Sequence, residues 1–239
     1  MFEQIITQSK TPTEIANEYG YTTRVVEKWA YEKFNLSNRT YKNLATITPR
    51  QRMLILAGTL GDGHIDKREK YPIYIEVHAE NQKEYLFWKY ELLKNLCMSK
   101  PTYKKPCKKI FNEKEYSVQG QYRFTTRAIQ QLDEIRKMDR IDKIMELDEF
   151  GISLHILDDG YRGSSGWEIC LAEWSEEEID AYMSKLKSFG AEPRRLHDKR
   201  YVGISASTSK TIDMVILKNV PNNIDIIKNK IHMEVEKIG

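Results

Sequence analysis

Apolar side chains recur along this chain with two different periods, and the places where the period changes divide it into elements. Thr11-Pro12-Thr13-Glu14 has the order of a helix start, Ile15, Ala16 and Tyr19 continue it, Gly20 ends it, and a second helix starts at Thr22. Residues 35–49 are polar and interrupted, with Ser37-Asn38-Arg39-Thr40 and Thr46-Ile47-Thr48-Pro49, which reads as a linker; the main body starts near Thr48. Ile73, Ile75 and Val77 alternate with Tyr74, Glu76 and His78, the period of a strand whose aliphatic face is buried. Residues 80–96 read as a helix with Tyr85, Leu86, Trp88, Leu92, Leu93 and Leu96 on its apolar side. A strand pair flanks residues 112–114, and in its second arm Val118, Tyr122 and Phe124 oppose Gln119, Gln121 and Arg123. The order then repeats: a helix at 152–159, a strand on Trp167, Ile169 and Leu171, a helix at 176–189 begun by Ser175 and closed by Gly190, a strand at 201–207 and a helix at 209–217. The pattern predicts an α+β protein with an internal duplication, divided into a helical unit at 1–45, a first repeat at 46–145 and a second at 146–239.

Composition narrows the class. Of 239 residues 40% are hydrophobic and 31% charged, with only 12 Gly and 7 Pro, which is a folded chain and not a disordered one. No run approaches the roughly 18 apolar residues of a spanning helix, and the first ten residues lack the apolar core of a secretion signal, so a cytoplasmic protein without a membrane partner is expected. Cys97, Cys107 and Cys170 are odd in number and lack CxxC spacing, which implies neither a disulfide framework nor a zinc site. The net charge is only +3, yet Lys100, Lys104, Lys105, Lys108, Lys109, Lys114, Arg123 and Arg127 face only Glu113 and Glu115 in one segment. Arg194, Arg195, Lys199 and Arg200 form a second basic cluster, so positive charge is gathered where a polyanion can use it.

Two segments carry the chemistry: Ile55-Leu56-Ala57-Gly58-Thr59-Leu60-Gly61-Asp62-Gly63-His64-Ile65 and Ile152-Ser153-Leu154-His155-Ile156-Leu157-Asp158-Asp159-Gly160-Tyr161. Each is an apolar helix ending in Asp-Gly. Ala57, Gly58 and Gly61 are small enough to let two helix backbones approach, and Gly63 and Gly160 are expected to take the left-handed turn that ends a helix. The two aspartates then meet at helix ends that already carry partial negative charge, a setting that favours a divalent cation. His64 and His155 are read as packing or supporting residues. Near the N-terminus, Ala16, Gly20 and Val26 fall at the offsets of a helix-turn-helix, in which a small residue, a turn glycine and a β-branched core residue recur.

The paired Asp-Gly helices, 97 positions apart and each followed by strand and helix, resemble the single-chain, two-repeat LAGLIDADG homing endonucleases over roughly residues 48–220. The resemblance implies two pseudo-symmetric αββαββα repeats with saddle-shaped antiparallel sheets, beside the small N-terminal helical domain. It implies that Asp62 and Asp159 hold Mg²⁺ at the scissile phosphates, with Gly61 and Asp158 as further candidates for the metal set, and that each aspartate-centred site cuts one strand across the minor groove. Lysines near the cut assist in such enzymes, and Lys105 and Lys199 are the candidates. The strand faces would supply Lys104, Lys108, Gln119, Gln121, Arg123, Arg194, Arg200, Ser205 and Ser207 to the duplex, and the second helix of the N-terminal unit Thr22, Thr23, Arg24 and Lys28. The implied partner is a long, asymmetric double-stranded DNA target bound by a monomer. Ala57 stands where the motif has its first glycine, and Ser153-Leu154-His155 is bulkier than usual, which bears on helix packing more than on chemistry. A non-catalytic DNA-binding regulator and an RNA maturase on the same fold remain as alternatives; retention of both aspartates favours the enzyme.

Overall fold

The computed structural model describes residues 12–34, 47–66, 71–97, 99–111, 114–196 and 200–231. Its first elements are two helices, α1 (Pro12–Tyr19) and α2 (Thr23–Phe34). Gly20 turns the chain between them with φ 71°, and the Tyr21 N–H reaches back to the Ala16 carbonyl at 2.8 Å. Ile15, Ala16, Val26 and Ala30 are buried between the helices, and Tyr21 sets its ring edge-on against Trp29. The small residue, turn glycine and β-branched residue therefore take the places their spacing predicts. The expected linker falls mostly on residues 35–46, outside the described residues.

The main body starts where expected. Thr48 caps α3 (Pro49–Leu60) in a capping box with Gln51, and Pro49 occupies the first turn, where a missing N–H goes unnoticed. Strands β1 (Gly63–Asp66) and β2 (Ile73–Ala79) follow, then α4 (Lys83–Leu93), flanked on both sides by single 3-10 turns. Next come β3 (Thr102–Lys104), the hairpin β4 (Cys107–Phe111) and β5 (Lys114–Val118), and β6 (Gln121–Thr125). Helices α5 (Leu132–Lys137) and α6 (Arg140–Glu146) lead to α7 (Glu149–Asp159), capped by Asp148. The second series runs β7 (Gly160–Gly163), β8 (Gly166–Cys170), α8 (Glu176–Ser188), β9 (Pro193–Arg195), β10 (Tyr201–Ser205), α9 (Ala206–Asn219) and α10 (Asp225–Lys230).

The two antiparallel sheets have matching orders, β1-β2-β6-β3 and β7-β8-β10-β9, which is the duplication seen in three dimensions; the β4–β5 hairpin is an insertion into the first. Helix α3 packs against α7 between the sheets, and residues 150–157 of α7 are all buried, so that helix needs no polar face. The connections cross over: α6, which follows the first sheet, packs on α8 of the second, and α10, at the end of the second, packs on α4 of the first. Arg52 ties this arrangement with 3.0 Å ion pairs to Glu134 and Glu146.

Several expectations are corrected. On β2 Ile75 is buried as expected with Ile73 and Val77 half-buried, but Tyr74, Glu76 and His78 on the other face are buried too, because that face lies under α4 and finds ionic partners there. The strand expected through residues 118–124 is broken at Gly120, whose carbonyl instead accepts from the Glu80 N–H, so Gln119 lies in a turn. Helix α9 starts at Ala206, which places Ser207 on its first turn and not on a strand. Gly63 and Gly160 are not left-handed; positive φ is found at Gly20, Gly166 and Gly190, the last ending α8 as expected. Gly58 serves its own repeat and not the partner helix, since a Cβ there would overlap the Tyr74 hydroxyl and meet Glu76 Oε2 at 3.0 Å. Helices α5, α6 and α10 lay outside the predicted elements.

Gly58→Ala is accordingly expected to overpack the α3–β2 contact and destabilise the protein by about 1–3 kcal/mol. Urea unfolding of the variant checks this, and a wild-type midpoint would show that Tyr74 and Glu76 move aside freely.

Candidate active site

Asp62 lies in the turn between α3 and β1, and Asp159 is the last residue of α7. Their approach depends on Gly61. A Cβ at this position would stand 2.9 Å from Asp159 Oδ2, 2.9 Å from Asp158 Cβ and 3.2 Å from Asp158 Oδ2. The end of α3 thus touches the carboxylates of α7 through a residue that has no side chain to hold them off. Asp62 and Asp159 stay partly open, at 38% and 30% side-chain exposure, whereas the Asp158 side chain is 0% exposed. That contrast separates two carboxylates a phosphate can approach from one it cannot.

Each open aspartate has a buried histidine beside it. His78 Nδ1, on β2, is 3.2 Å from Asp62 Oδ2, and His155 Nε2, one turn earlier on α7, is 3.4 Å from Asp159 Oδ2. His78 also contacts Gln82 Oε1 and Glu76 Oε1, both at 3.0 Å, while His155 Nδ1 meets the Tyr182 hydroxyl at 2.8 Å. Lys89 Nζ contacts Glu76 at 2.6 Å and both Asp158 oxygens at 2.8 and 2.9 Å. Lys230, from α10, donates to the carbonyls of Leu157 at 2.5 Å and Gly160 at 2.7 Å, at the negative end of α7. Ligand atoms of Asp62, His78 and Asp158 all lie within 4.8 Å of one another.

Electrostatics favours a cation here. Burial, then the charge of Asp158, pushes Asp62 up to about 6. Burial, then Asp158 and Asp62, pushes Asp159 up to about 7. Burial works against an ionised Glu76, but Lys89 and His78 outweigh it and hold its carboxyl below the usual range. Complete burial pushes His155 down to about 3, so it stays neutral, which fits a packing and supporting role. His64 is exposed on β1 and contributes nothing to this cluster.

The other predicted residues are dispersed. Lys105 follows β3, which the sheet order puts three inter-strand spacings, about 14 Å, from β1. Lys199 lies outside the described residues. The lysines beside the aspartates are Lys89 and Lys230, which sequence reasoning missed: Lys230 sits on an unpredicted helix, while Lys89 carried a signal, a lone cation one turn after Tyr85 on the apolar side of α4. In sheet one, register puts Arg123 opposite Val77 and Thr102, and Gln121 opposite Ala79 and Lys104, on the face turned away from Glu76 and Phe124. In sheet two, Arg194, Gly203 and Glu168 share a face. Ser205 ends β10 with its hydroxyl 2.8 Å from that of Ser207. Lys108 is exposed on the β4–β5 hairpin, Gln119 and Arg200 are exposed in turns, and Thr22, Arg24 and Lys28 are exposed at the start of α2 with Thr23 half-buried.

The model of the LAGLIDADG DNA endonuclease family matches residues 53–212, from the middle of α3 through both aspartates into α9. The chain belongs to this family. It is a DNA endonuclease, and its mixed helices and four-stranded antiparallel sheets are the family's α+β architecture. Among solved structures, the homing endonuclease I-WcaI bound to its DNA recognition sequence is similar, with 14% identity over 75% of this chain and 86% of its own and a TM-score of 0.60. A form of I-DmoI in complex with nicked target DNA and manganese matches with 12% identity over 72% of this chain and 98% of its own, at a TM-score of 0.48. At these identities the likeness is one of fold. No curated protein sequence matches, and among the described residues no helix is long and apolar enough to cross a membrane.

The raised carboxyl of Asp159 predicts a stability effect with a definite sign. A carboxyl whose folded-state pKa is raised stabilises the fold fully below its unfolded pKa, near 3.8, and loses that contribution as pH climbs through about 7. In metal-free buffer, Asp159→Asn should therefore exceed wild type in Tm by several degrees at pH 8 and converge with it near pH 4. Thermal unfolding of both proteins across that range checks this, and parallel curves would contradict it.

Proposed function

We propose that this LAGLIDADG endonuclease makes a site-specific, staggered double-strand break in a long, asymmetric DNA target, binding it as a monomer, with Asp62 and Asp159 holding the divalent metal, Mg²⁺ in the cell. The observation that carries this reading is the pair of open carboxylates meeting across Gly61, each pushed up by burial and by neighbouring charge. Hard oxygen donors that resist ionising until a cation arrives suit Mg²⁺, and the partial negative end of α7 adds to the attraction. When bound, such an ion supplies a more acidic water and neutralises charge on the phosphate. The backbone carbonyl of Gly61 is the further candidate donor beside them.

This chain's own residues do the rest. Gly61 and Gly63 keep the helix end clear of bulk, His78 and His155 stand within 3.2 and 3.4 Å of one oxygen each of Asp62 and Asp159, and Lys230 restrains the carbonyl end of α7. Gln121, Arg123, Thr102 and Lys104 from one sheet, Arg194 and Ser205 from the other, and Arg200 in the turn before β10 supply base-edge and phosphate contacts along a saddle. Lys105, Lys108 and Gln119 would extend the grip outward from the first repeat, and Thr22, Thr23, Arg24 and Lys28 of the N-terminal helix pair beyond it. On this reading the chain divides into a DNA-binding unit at 1–45 and catalytic repeats at 46–145 and 146–239, and it works where its DNA is, in a bacterial or phage-infected cytoplasm or an organelle.

Cleavage and gel-shift assays on a target selected from a DNA library test the reading. Asp62→Asn or Asp159→Asn should reduce double-strand cleavage to background while leaving DNA affinity within severalfold. Full cutting by either variant would remove the site. Deleting residues 1–44 should weaken binding, shorten the footprint at one end and flatten its salt dependence, without eliminating cutting at high enzyme concentration; an unchanged footprint would take the N-terminal unit off the DNA.

A further inference from the structure

The two halves of the aspartate site are built from different chemistry. In the second repeat the histidine beside the aspartate has neutral neighbours: α8 buries Ile179, Tyr182 and Leu186, and the Tyr182 hydroxyl contacts an uncharged His155, with the one cation, Lys230, bound to backbone carbonyls. In the first repeat they are ionic. Lys89 is 1% exposed, in the middle of the buried face of α4, and its ammonium meets Glu76 Oε1 at 2.6 Å, both oxygens of Asp158 at 2.8 and 2.9 Å, and His78 Nε2 at 3.3 Å, above the ring of Tyr85 at 4.4 Å. Glu76, 0% exposed, also accepts from the Tyr74 hydroxyl and contacts His78, which in turn reaches Asp62. One chain of polar contacts thus runs from Asp158 at the end of α7, through Lys89, Glu76 and His78, to Asp62 after α3.

Burying an ion costs several kcal/mol unless it is paired, so a network of this kind persists only where every charge has its partner. The pairing has a counterpart in the duplication. Asp158 precedes Asp159 where Gly61 precedes Asp62, so the second motif carries one carboxylate more than the first, and the ammonium that answers it comes from the other repeat. Asp158 lies close enough to the site to ligate, with a carboxylate oxygen within 4.8 Å of ligand atoms of Asp62 and His78, yet both of its oxygens are taken by one ammonium and none of its side chain is exposed.

We propose that Lys89 is a positioning residue, an internal counter-ion that occupies Asp158 in place of a bound metal and, through Glu76 and His78, orders the carboxylate of Asp62. The proposal rests on the reading of Asp62 and Asp159 as the metal-holding pair. It makes Asp158 and Lys89 a matched set: losing both does less harm than losing the lysine alone.

Wild type, Asp158→Asn, Lys89→Met and the double variant are to be compared by Mn²⁺ titration of the DNA-free protein and by single-turnover cleavage of the selected target. Asp158→Asn is expected to keep the wild-type Mn²⁺ stoichiometry, with affinity and cutting within about tenfold. Lys89→Met leaves two buried carboxylates, Asp158 and Glu76, without their ammonium; Mn²⁺ binding should tighten by about tenfold or gain an ion, while the cleavage rate at saturating DNA falls about a hundredfold with little change in the DNA concentration for half-maximal rate. The double variant removes the freed Asp158 but still leaves Glu76 without its ammonium, so it should return to the Mn²⁺ binding of Asp158→Asn and cut about tenfold faster than Lys89→Met, a partial reversal that a packing role for Lys89 does not produce. If Lys89→Met does not fold, the two variants without an unpaired Asp158 still decide. Cutting lost in Asp158→Asn as completely as in Asp62→Asn would make Asp158 a ligand and overturn the proposal, as would a folded double variant no more active than background. Wild-type protein that bound no Mn²⁺ and cut nothing would remove the nuclease reading itself, whereas the variant outcomes bear on Lys89 with that reading intact.

Discussion

The contact between the end of α3 and the end of α7 is the constraint on which the rest of the molecule depends. It works because Gly61 has no side chain: a single methyl group there would press on Asp158 and Asp159. With that contact made, β1 starts directly after Asp62 and β7 directly after Asp159, so one edge strand of each sheet starts from the site. The crossed packing of α6 on α8 and α10 on α4 then braces each repeat with a helix from the other, and it delivers Lys230 to the carbonyl end of α7. Fold and site share one point of closest approach.

That geometry works against stability. Two aspartates held half-buried near a third carboxylate resist ionisation, and the fold tolerates them because Lys89, His78 and Lys230 offset part of the charge. What remains uncompensated is the property a metal-dependent hydrolase requires, an affinity for a divalent cation prepared in advance of the substrate. The site is therefore expected to be both the least comfortable and the most functional part of the core.

How much of this was legible in the sequence depended on distance along the chain. The Asp-Gly helices, the duplication, the Gly20 turn and the Ser175 cap were readable because each is written in a few neighbouring residues. The alternation on β2 shows one buried face where the structure has two, since Glu76 and His78 look like solvent-facing residues until Lys89, thirteen positions after Glu76, is brought above them. A buried ion network is invisible to hydrophobic periodicity for that reason: each member violates the pattern and only the set satisfies it. Nothing local in the sequence shows that sheet order carries Lys105 to the outer edge of the first sheet, or that Lys230 arrives from the far end of the chain on a helix that no pattern announces.

The most direct test of the two-carboxylate centre is a crystal structure of the protein with its selected DNA target and Ca²⁺, a hard cation that takes oxygen ligands. The account predicts ion density about 2.3–2.6 Å from oxygens of Asp62 and Asp159 and of the phosphates to be cut, with Asp158 still turned to Lys89. Ions bound elsewhere, or phosphates lying on another face of the protein with these two carboxylates left bare, would contradict it.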